Sequence, residues 1–194
     1  MLFSDTTMAG SAFTFVFLVS ILIYRPKNWS TFYGASLATI FALGCLLTVD
    51  EIENRKIFVI TCLIWIPLTV EDAVYQHVSA KLLYFSTLLT VIIAINFGSN
   101  SLLDITVLVS LMIILLICVK YLEHRVNQTI IGSADYFAGS AFMSVLPVTS
   151  IGIWLIVFPM LGILGYFLKL RSAKKIPLLP YMLAGWCLVF SQTG

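Results

Sequence analysis

The chain has 194 residues, of which 60% are hydrophobic and only 10% charged, and its mean hydropathy is +1.04. A soluble core of this size does not need so much apolar surface, so the composition indicates several membrane spans. The net charge of +2 is too small to indicate a nucleic-acid partner. The four cysteines are widely spaced and form no CxxC pair, which argues against a zinc site or a disulfide framework.

Apolar runs follow one another along the whole chain and predict one all-α integral-membrane domain over residues 1–194, with about eight transmembrane helices. Several runs are shorter than the roughly 20 residues that cross a full hydrocarbon core. Pro67 and Pro147 interrupt or end two of them, so we expect some spans to be kinked, tilted or partly re-entrant. The predicted spans are 9–24, 31–49, 57–70, 80–97, 102–119, 136–147, 150–168 and 176–190.

The basic residues predict the orientation of these spans. Most of the 11 lysines and arginines lie in four alternate loops, which follow the first, third, fifth and seventh spans. Arg55 and Lys56 lie in a loop on the other side, beside Asp50, Glu51 and Glu53. Since cytoplasmic loops carry the excess of positive charge, we expect the four basic loops in the cytoplasm and both termini outside.

Two aspartates are candidate site residues because an ionisable carboxyl at a bilayer boundary is costly unless something uses it. Asp72 follows the third apolar run and Asp135 precedes the sixth, within Gly132-Ser133-Ala134-Asp135. The predicted topology puts both at the cytoplasmic face, joined by one span out and one back. Asp50 is the rival to Asp72, but an odd number of spans separates it from Asp135.

Paired carboxyls have the chemistry of an aspartyl protease. One group must be ionised to take a proton from water, and the other protonated to polarise the scissile carbonyl, which is possible because both cannot ionise cheaply. Asp72 and Asp135 are therefore predicted catalytic residues, and which is acid and which base stays open. The small residues Gly132 and Ala134, with Ser133, leave room for a substrate backbone. The competing interpretation is structural: Asp135 as a helix N-cap and Asp72 as an interfacial residue.

Three segments resemble the type IV prepilin peptidases, membrane aspartyl proteases with a GxGD motif. Gly132-Ser133-Ala134-Asp135 matches that motif except at Ala134. Val78-Ser79-Ala80 follows Asp72 at the offset of the family's "D-x5-[IV]-[PS]-N", and Asp50 fits nearly as well with one extra residue. The C-terminal stretch KKIPLLPYMLAG (174–185) is similar to the family's "KKIPFGPFLALG".

The sequence also departs from the family pattern. Phe137 stands where the family usually has lysine, and Ala134 replaces a glycine. Only the six residues 25–30 separate the first two spans, where many members carry a large cytoplasmic insert, often with paired cysteines. The family's methyl transfer is attributed to that insert, so we expect a short form that does not methylate its product.

The resemblance implies an endopeptidase of the bacterial inner membrane, active at the cytoplasmic face in type IV pilus or type II secretion systems. Its substrates would be prepilin or pseudopilin precursors, with a basic leader followed by an apolar helix, and it would need no cofactor or metal. Two other classes stay open: a proton-coupled small transporter, which would also keep acids in its helices, and a non-catalytic subunit of a pilus or secretion assembly. The sequence specifies neither the pilin nor the oligomeric state.

Overall fold

The computed structural model describes residues 14–16, 18–23, 55–75, 77–98, 100–126, 132–168 and 178–193. These residues contain helices and no strand, which confirms the all-α prediction. A short helical stretch within 14–23 comes first. The helices that follow are α1 (Arg55–Tyr75), α2 (Ala80–Phe97), α3 (Leu102–Val126), α4 (Ser133–Val145), α5 (Val148–Leu168) and α6 (Leu179–Thr193).

Three helices are long and apolar enough to cross a membrane, in the segments Lys56–Tyr75, Ala80–Phe97 and Leu102–Arg125. Most of the first segment is buried in the protein, whereas nearly all of the third is exposed. An exposed surface this apolar is stable in contact with lipid chains, so it is the surface of a membrane protein. The predicted span 31–49 lies outside the described residues, as do positions 9–13, 17 and 24 of the predicted span 9–24.

The core lies where α1, α4 and α6 pack together, and large aromatic side chains fill it. Trp65 of α1 and Phe142 of α4 have ring centroids 4.7 Å apart, and Trp186 of α6 lies 5.9 Å from Phe142. Trp65 also donates to the Thr90 hydroxyl of α2 at 2.9 Å, so its polar indole group is satisfied within the core. This packing fixes the position of α1 relative to α4 and α6.

The other helices lie around this core. α2 and α3 each pack along α4 and touch each other only slightly, while α5 packs on α6. At the end of the bundle where α4 stops, the Asn100 side-chain amide donates to the carbonyl oxygens of Ser144 (3.0 Å) and Leu146 (2.6 Å). The link between α2 and α3 is thereby tied to the C-terminus of α4.

Two helices extend further than their apolar runs indicated. α1 continues to Tyr75, so that Asp72 lies inside the helix, and α3 continues to Val126, so that Lys120 and Arg125 are helical. Glutamate, lysine and arginine, which occur at Glu71, Lys120 and Arg125, have good helix propensity, and a helix can therefore continue past the end of its apolar segment. The basic residues 169–175 lie outside the described residues.

Candidate active site

Asp72 lies one turn before the end of α1 and binds the start of a distant helix. Its Oδ2 accepts a hydrogen bond from the backbone N–H of Leu179, the first residue of α6, at 3.1 Å. The first N–H groups of a helix have no partner within the helix, and the positive end of the helix dipole favours a carboxylate there. Asp72 therefore acts as a remote cap for α6, in addition to any chemical role.

Asp135 lies in the first turn of α4, three residues after Gly132, which is the N-cap. The prediction that Asp135 is itself the N-cap is wrong, because the helix begins at Ser133. Its Oδ2 accepts a hydrogen bond from the Gly132 N–H at 3.1 Å, while its own N–H donates to the Gly132 carbonyl oxygen at 3.1 Å. This reciprocal pair fixes the carboxyl at the N-terminus of α4.

A steric contact explains why glycine suits position 132 of the GSAD segment. A Cβ atom on Gly132 would come within 3.1 Å of the Asp135 Oδ2, closer than such contacts usually are. A larger residue would therefore displace the carboxyl. Ala134 is partly buried and packs against the core. Gly132 and Ala134 are predicted substrate-binding positions of the motif. In the structure, Gly132 contacts the Asp135 carboxyl.

The two aspartates lie at the same end of the bundle. α2 leaves this end and α3 returns to it, which brings the start of α4 next to the last turns of α1. The Asp72 carboxyl lies within electrostatic range of Asp135, and also of Glu71 and His77. Burial raises the pKa of Asp135 to about 6, and the hydrogen bond from Gly132 opposes that rise. A carboxyl with a pKa of about 6 exchanges its proton readily near that pH, as an acid–base group must.

Two neighbours of Asp72 were not assigned to the site from the sequence. Glu71 is buried, and its Oε2 accepts a hydrogen bond from the Ser79 N–H at 3.1 Å, which fixes the link between α1 and α2. The His77 ring lies in that link, with Nδ1 3.2 Å from the Tyr75 carbonyl oxygen. Glu71 directly precedes Asp72 and His77 follows it by five positions; this proximity in sequence was the only signal, and it did not distinguish them from loop residues.

Several other residues near this end of the bundle have partners of their own, and others lie outside the described residues. Glu123 of α3 is buried and forms an ion pair with Lys120 at 2.6 Å. Phe137, at the position of the family's lysine, packs edge-on against Tyr84 of α2 with ring centroids 5.0 Å apart. Asp50 and residues 174–177 are outside the described part of the chain. No group of three potential metal ligands occurs among the described residues.

Comparisons with protein-family models, with curated proteins and with solved structures found no match to this chain. The site is therefore defined by its geometry: two carboxyls from different helices, each bound by a backbone N–H, at one end of an apolar helical bundle.

Proposed function

We propose that this protein is a membrane aspartyl endopeptidase that removes the basic leader from type IV prepilin or pseudopilin precursors. One observation carries the proposal. The three segments that resemble the prepilin peptidases are distant in sequence, yet Asp72 accepts a hydrogen bond from Leu179 and lies within electrostatic range of Asp135. If the three segments form one site, they are expected to lie close together. If each resemblance is accidental, their proximity is left unexplained.

The geometry supports hydrolysis by a carboxyl pair. The ionised aspartate takes a proton from water while the protonated one donates to the scissile carbonyl oxygen. The water oxygen bonds to the carbonyl carbon and gives a tetrahedral diol. The first aspartate then passes its proton to the nitrogen as the C–N bond breaks, and the second takes a proton back from a diol hydroxyl, which restores the pair. The backbone N–H groups of Leu179 and Gly132 fix one oxygen of each carboxyl, leaving the second oxygens for water and substrate.

The proposal includes the placement of the protein in the membrane. The eight predicted spans and the basic loops predict that the aspartates face the cytoplasm, and the resemblance implies that the membrane is the bacterial inner membrane. The apolar helix of the precursor would partition into the bilayer, so the leader would be held at the same boundary. Cleavage would then need one peptide bond to be unwound beside the carboxyl pair.

The test is prepilin processing by variants that keep the shape of each carboxyl. Asp72→Asn and Asp135→Asn should each abolish conversion of precursor to mature pilin, because an amide cannot exchange the proton. Asp104→Asn is the matched control, since Asp104 lies at the opposite end of the bundle, where its carboxyl accepts an exposed hydrogen bond from the Ser101 hydroxyl. Asp50→Ala should also leave cleavage near normal, as expected of an outside residue.

An immunoblot that follows precursor and mature pilin with time distinguishes the outcomes. Full processing by either Asn variant would end the protease proposal. Loss of processing in Asp50→Ala with activity in Asp72→Asn would exchange the two assignments and would require a different span count before α1.

A further inference from the structure

A groove runs between α2 and α3, with α4 as its floor. α2 contributes Tyr84, Thr87, Leu88 and Val91, and α3 contributes Val109, Met112, Ile113 and Leu116. Both sets have the spacing i, i+3, i+4, i+7, so each is one continuous stripe along its helix. Because α2 and α3 both pack on α4 but scarcely touch each other, the described residues leave the space between the stripes open.

The groove has the dimensions of a site for side chains from another helix. Its volume is about 450 Å³. Each stripe covers two helical turns, about 10 Å along the axis. A whole helix with side chains is about 10–12 Å across and does not fit inside, but the apolar side chains of one helix face do.

The floor of the groove joins the carboxyl site directly. Tyr136, Phe137 and Ser140 of α4 line it, and Tyr136 follows Asp135 in the chain. A helix that lies over the groove, with the side chains of one face between the two stripes, would therefore have one end beside Asp135. This continuity relates the groove to the proposed cleavage site.

Two hydroxyl groups in the groove favour a peptide over a lipid chain. Tyr136 is 5% exposed. Its hydroxyl oxygen and the Thr87 Oγ1 atom are both buried, and neither has a hydrogen-bond partner among the described residues. A buried hydroxyl without a partner is costly, and a lipid chain offers no acceptor. A peptide that unwinds to be cut exposes main-chain carbonyl oxygens, which are such acceptors.

We propose that the groove between α2 and α3 binds the apolar helix of the protein substrate. The Tyr136 hydroxyl, which is covered in the free protein, then turns toward the groove and donates a hydrogen bond to a main-chain carbonyl oxygen of that substrate near the cleaved bond. Side chains from one face of the substrate helix lie between the two stripes. This inference rests on the proposed function and identifies where its substrate docks. Tyr136 is then a positioning residue, since it holds the peptide relative to the carboxyl pair.

Photo-crosslinking tests the groove. A benzoylphenylalanine at Leu88 lies on the rim of the groove, and one at Phe85 lies on the same helix outside it, with exposures of 61% and 62% in the unaltered protein. In an Asp135→Asn background, we expect a full-length prepilin precursor to crosslink at Leu88 and not at Phe85. Equal crosslinking at both positions, or adducts to lipid alone at Leu88, would overturn the assignment.

Tyr136→Phe tests the hydrogen bond. Removing it should lower kcat/KM about two- to tenfold, the range expected for one neutral hydrogen bond, with the loss in KM because the bond forms on docking. The melting temperature should not fall, since the hydroxyl has no partner among the described residues to lose. Thr87→Val, which also removes an unpartnered hydroxyl, should be equally stable.

Tyr121→Phe is the control for the Tyr136 variant, because Tyr121 is exposed on α3 outside the groove and its hydroxyl binds Arg125. It should keep the kcat/KM of the unaltered protein. An unchanged kcat/KM in Tyr136→Phe would remove the role of the hydroxyl. If the unaltered protein does not cleave prepilin, the proposed function fails and this inference with it, whereas normal cleavage with no crosslink at Leu88 rejects the groove alone.

Discussion

Replacing Asp72 by alanine should damage the fold as well as the chemistry, whereas asparagine should abolish the chemistry with only a small loss of stability. The reason is the hydrogen bond from the Leu179 N–H to the Asp72 Oδ2. Alanine leaves this N–H without an acceptor, in a residue that is fully buried. An unsatisfied buried donor costs about 1–3 kcal/mol, so we expect the free energy of unfolding to fall by about that amount.

Asparagine keeps an acceptor oxygen at the same place and loses only the negative charge. The interaction of a carboxylate with a helix N-terminus contributes about 0.3–1 kcal/mol, which is the loss expected for Asp72→Asn. Both variants should fail to process prepilin. Asp104→Ala removes an exposed acceptor at the start of α3, where water replaces it, and should cost less than Asp72→Ala and keep full cleavage.

Thermal unfolding of the purified protein in detergent, followed by tryptophan fluorescence, measures these differences. The expected order of stability is unaltered protein, Asp72→Asn, then Asp72→Ala. Equal stability of the two Asp72 variants would mean that the carboxyl does not hold α6. Prepilin cleavage by Asp72→Asn would show that ionisation at this position is not required.

Further variants probe other contacts. Gly185→Ala should destabilise the fold by about 1–3 kcal/mol, because the added Cβ would lie 2.9 Å from the Phe158 Cβ and 3.1 Å from the Phe158 Cα. Gly152 has open space around it, so Gly152→Ala should unfold at or above the temperature of the unaltered protein. Gly132→Ala should slow prepilin cleavage with little change in melting temperature, since the added methyl presses on the Asp135 carboxyl. Burial raises the pKa of Asp135 from 3.8 to about 6, so the folded state holds this proton more tightly than the unfolded state. Between these two pH values, a rise in pH should therefore lower the melting temperature of the unaltered protein relative to that of Asp135→Asn. Mass spectrometry of pilin matured by this enzyme alone should find an unmethylated N-terminus, and a methylated one would disprove the expectation drawn from the six-residue loop.

The sequence predicted the helical class well because apolar runs of this length have few alternatives. It predicted helix ends less well, since Asp72 and Lys120 remain helical although they follow the apolar runs. The position of Asp135 within α4 was also misjudged, because a glycine and an aspartate can both serve at a helix N-terminus.

The environment of the site was less accessible from the sequence. The partner of Asp72 is a backbone N–H more than 100 positions away, so no local pattern encodes it. Only the resemblance of 174–185 to a family motif indicated that this stretch had a role. The groove was hidden for a related reason: the stripes on α2 and α3 resemble ordinary lipid-facing surface until α4 is placed beneath them.

The sulfur atoms of Cys62 and Cys187 lie 3.6 Å apart between α1 and α6, and both residues are fully buried, whereas Cys118 is exposed on α3. A membrane-permeant alkylating reagent should therefore modify Cys118 more readily than Cys62 and Cys187, which it reaches only when α1 and α6 separate; Cys45 lies outside the described residues and must be replaced first. The rate of that slow modification would report how often the helix carrying Asp72 parts from the helix it caps, with no engineered label. Any accessibility mapping with introduced cysteines must begin from a chain that lacks Cys118.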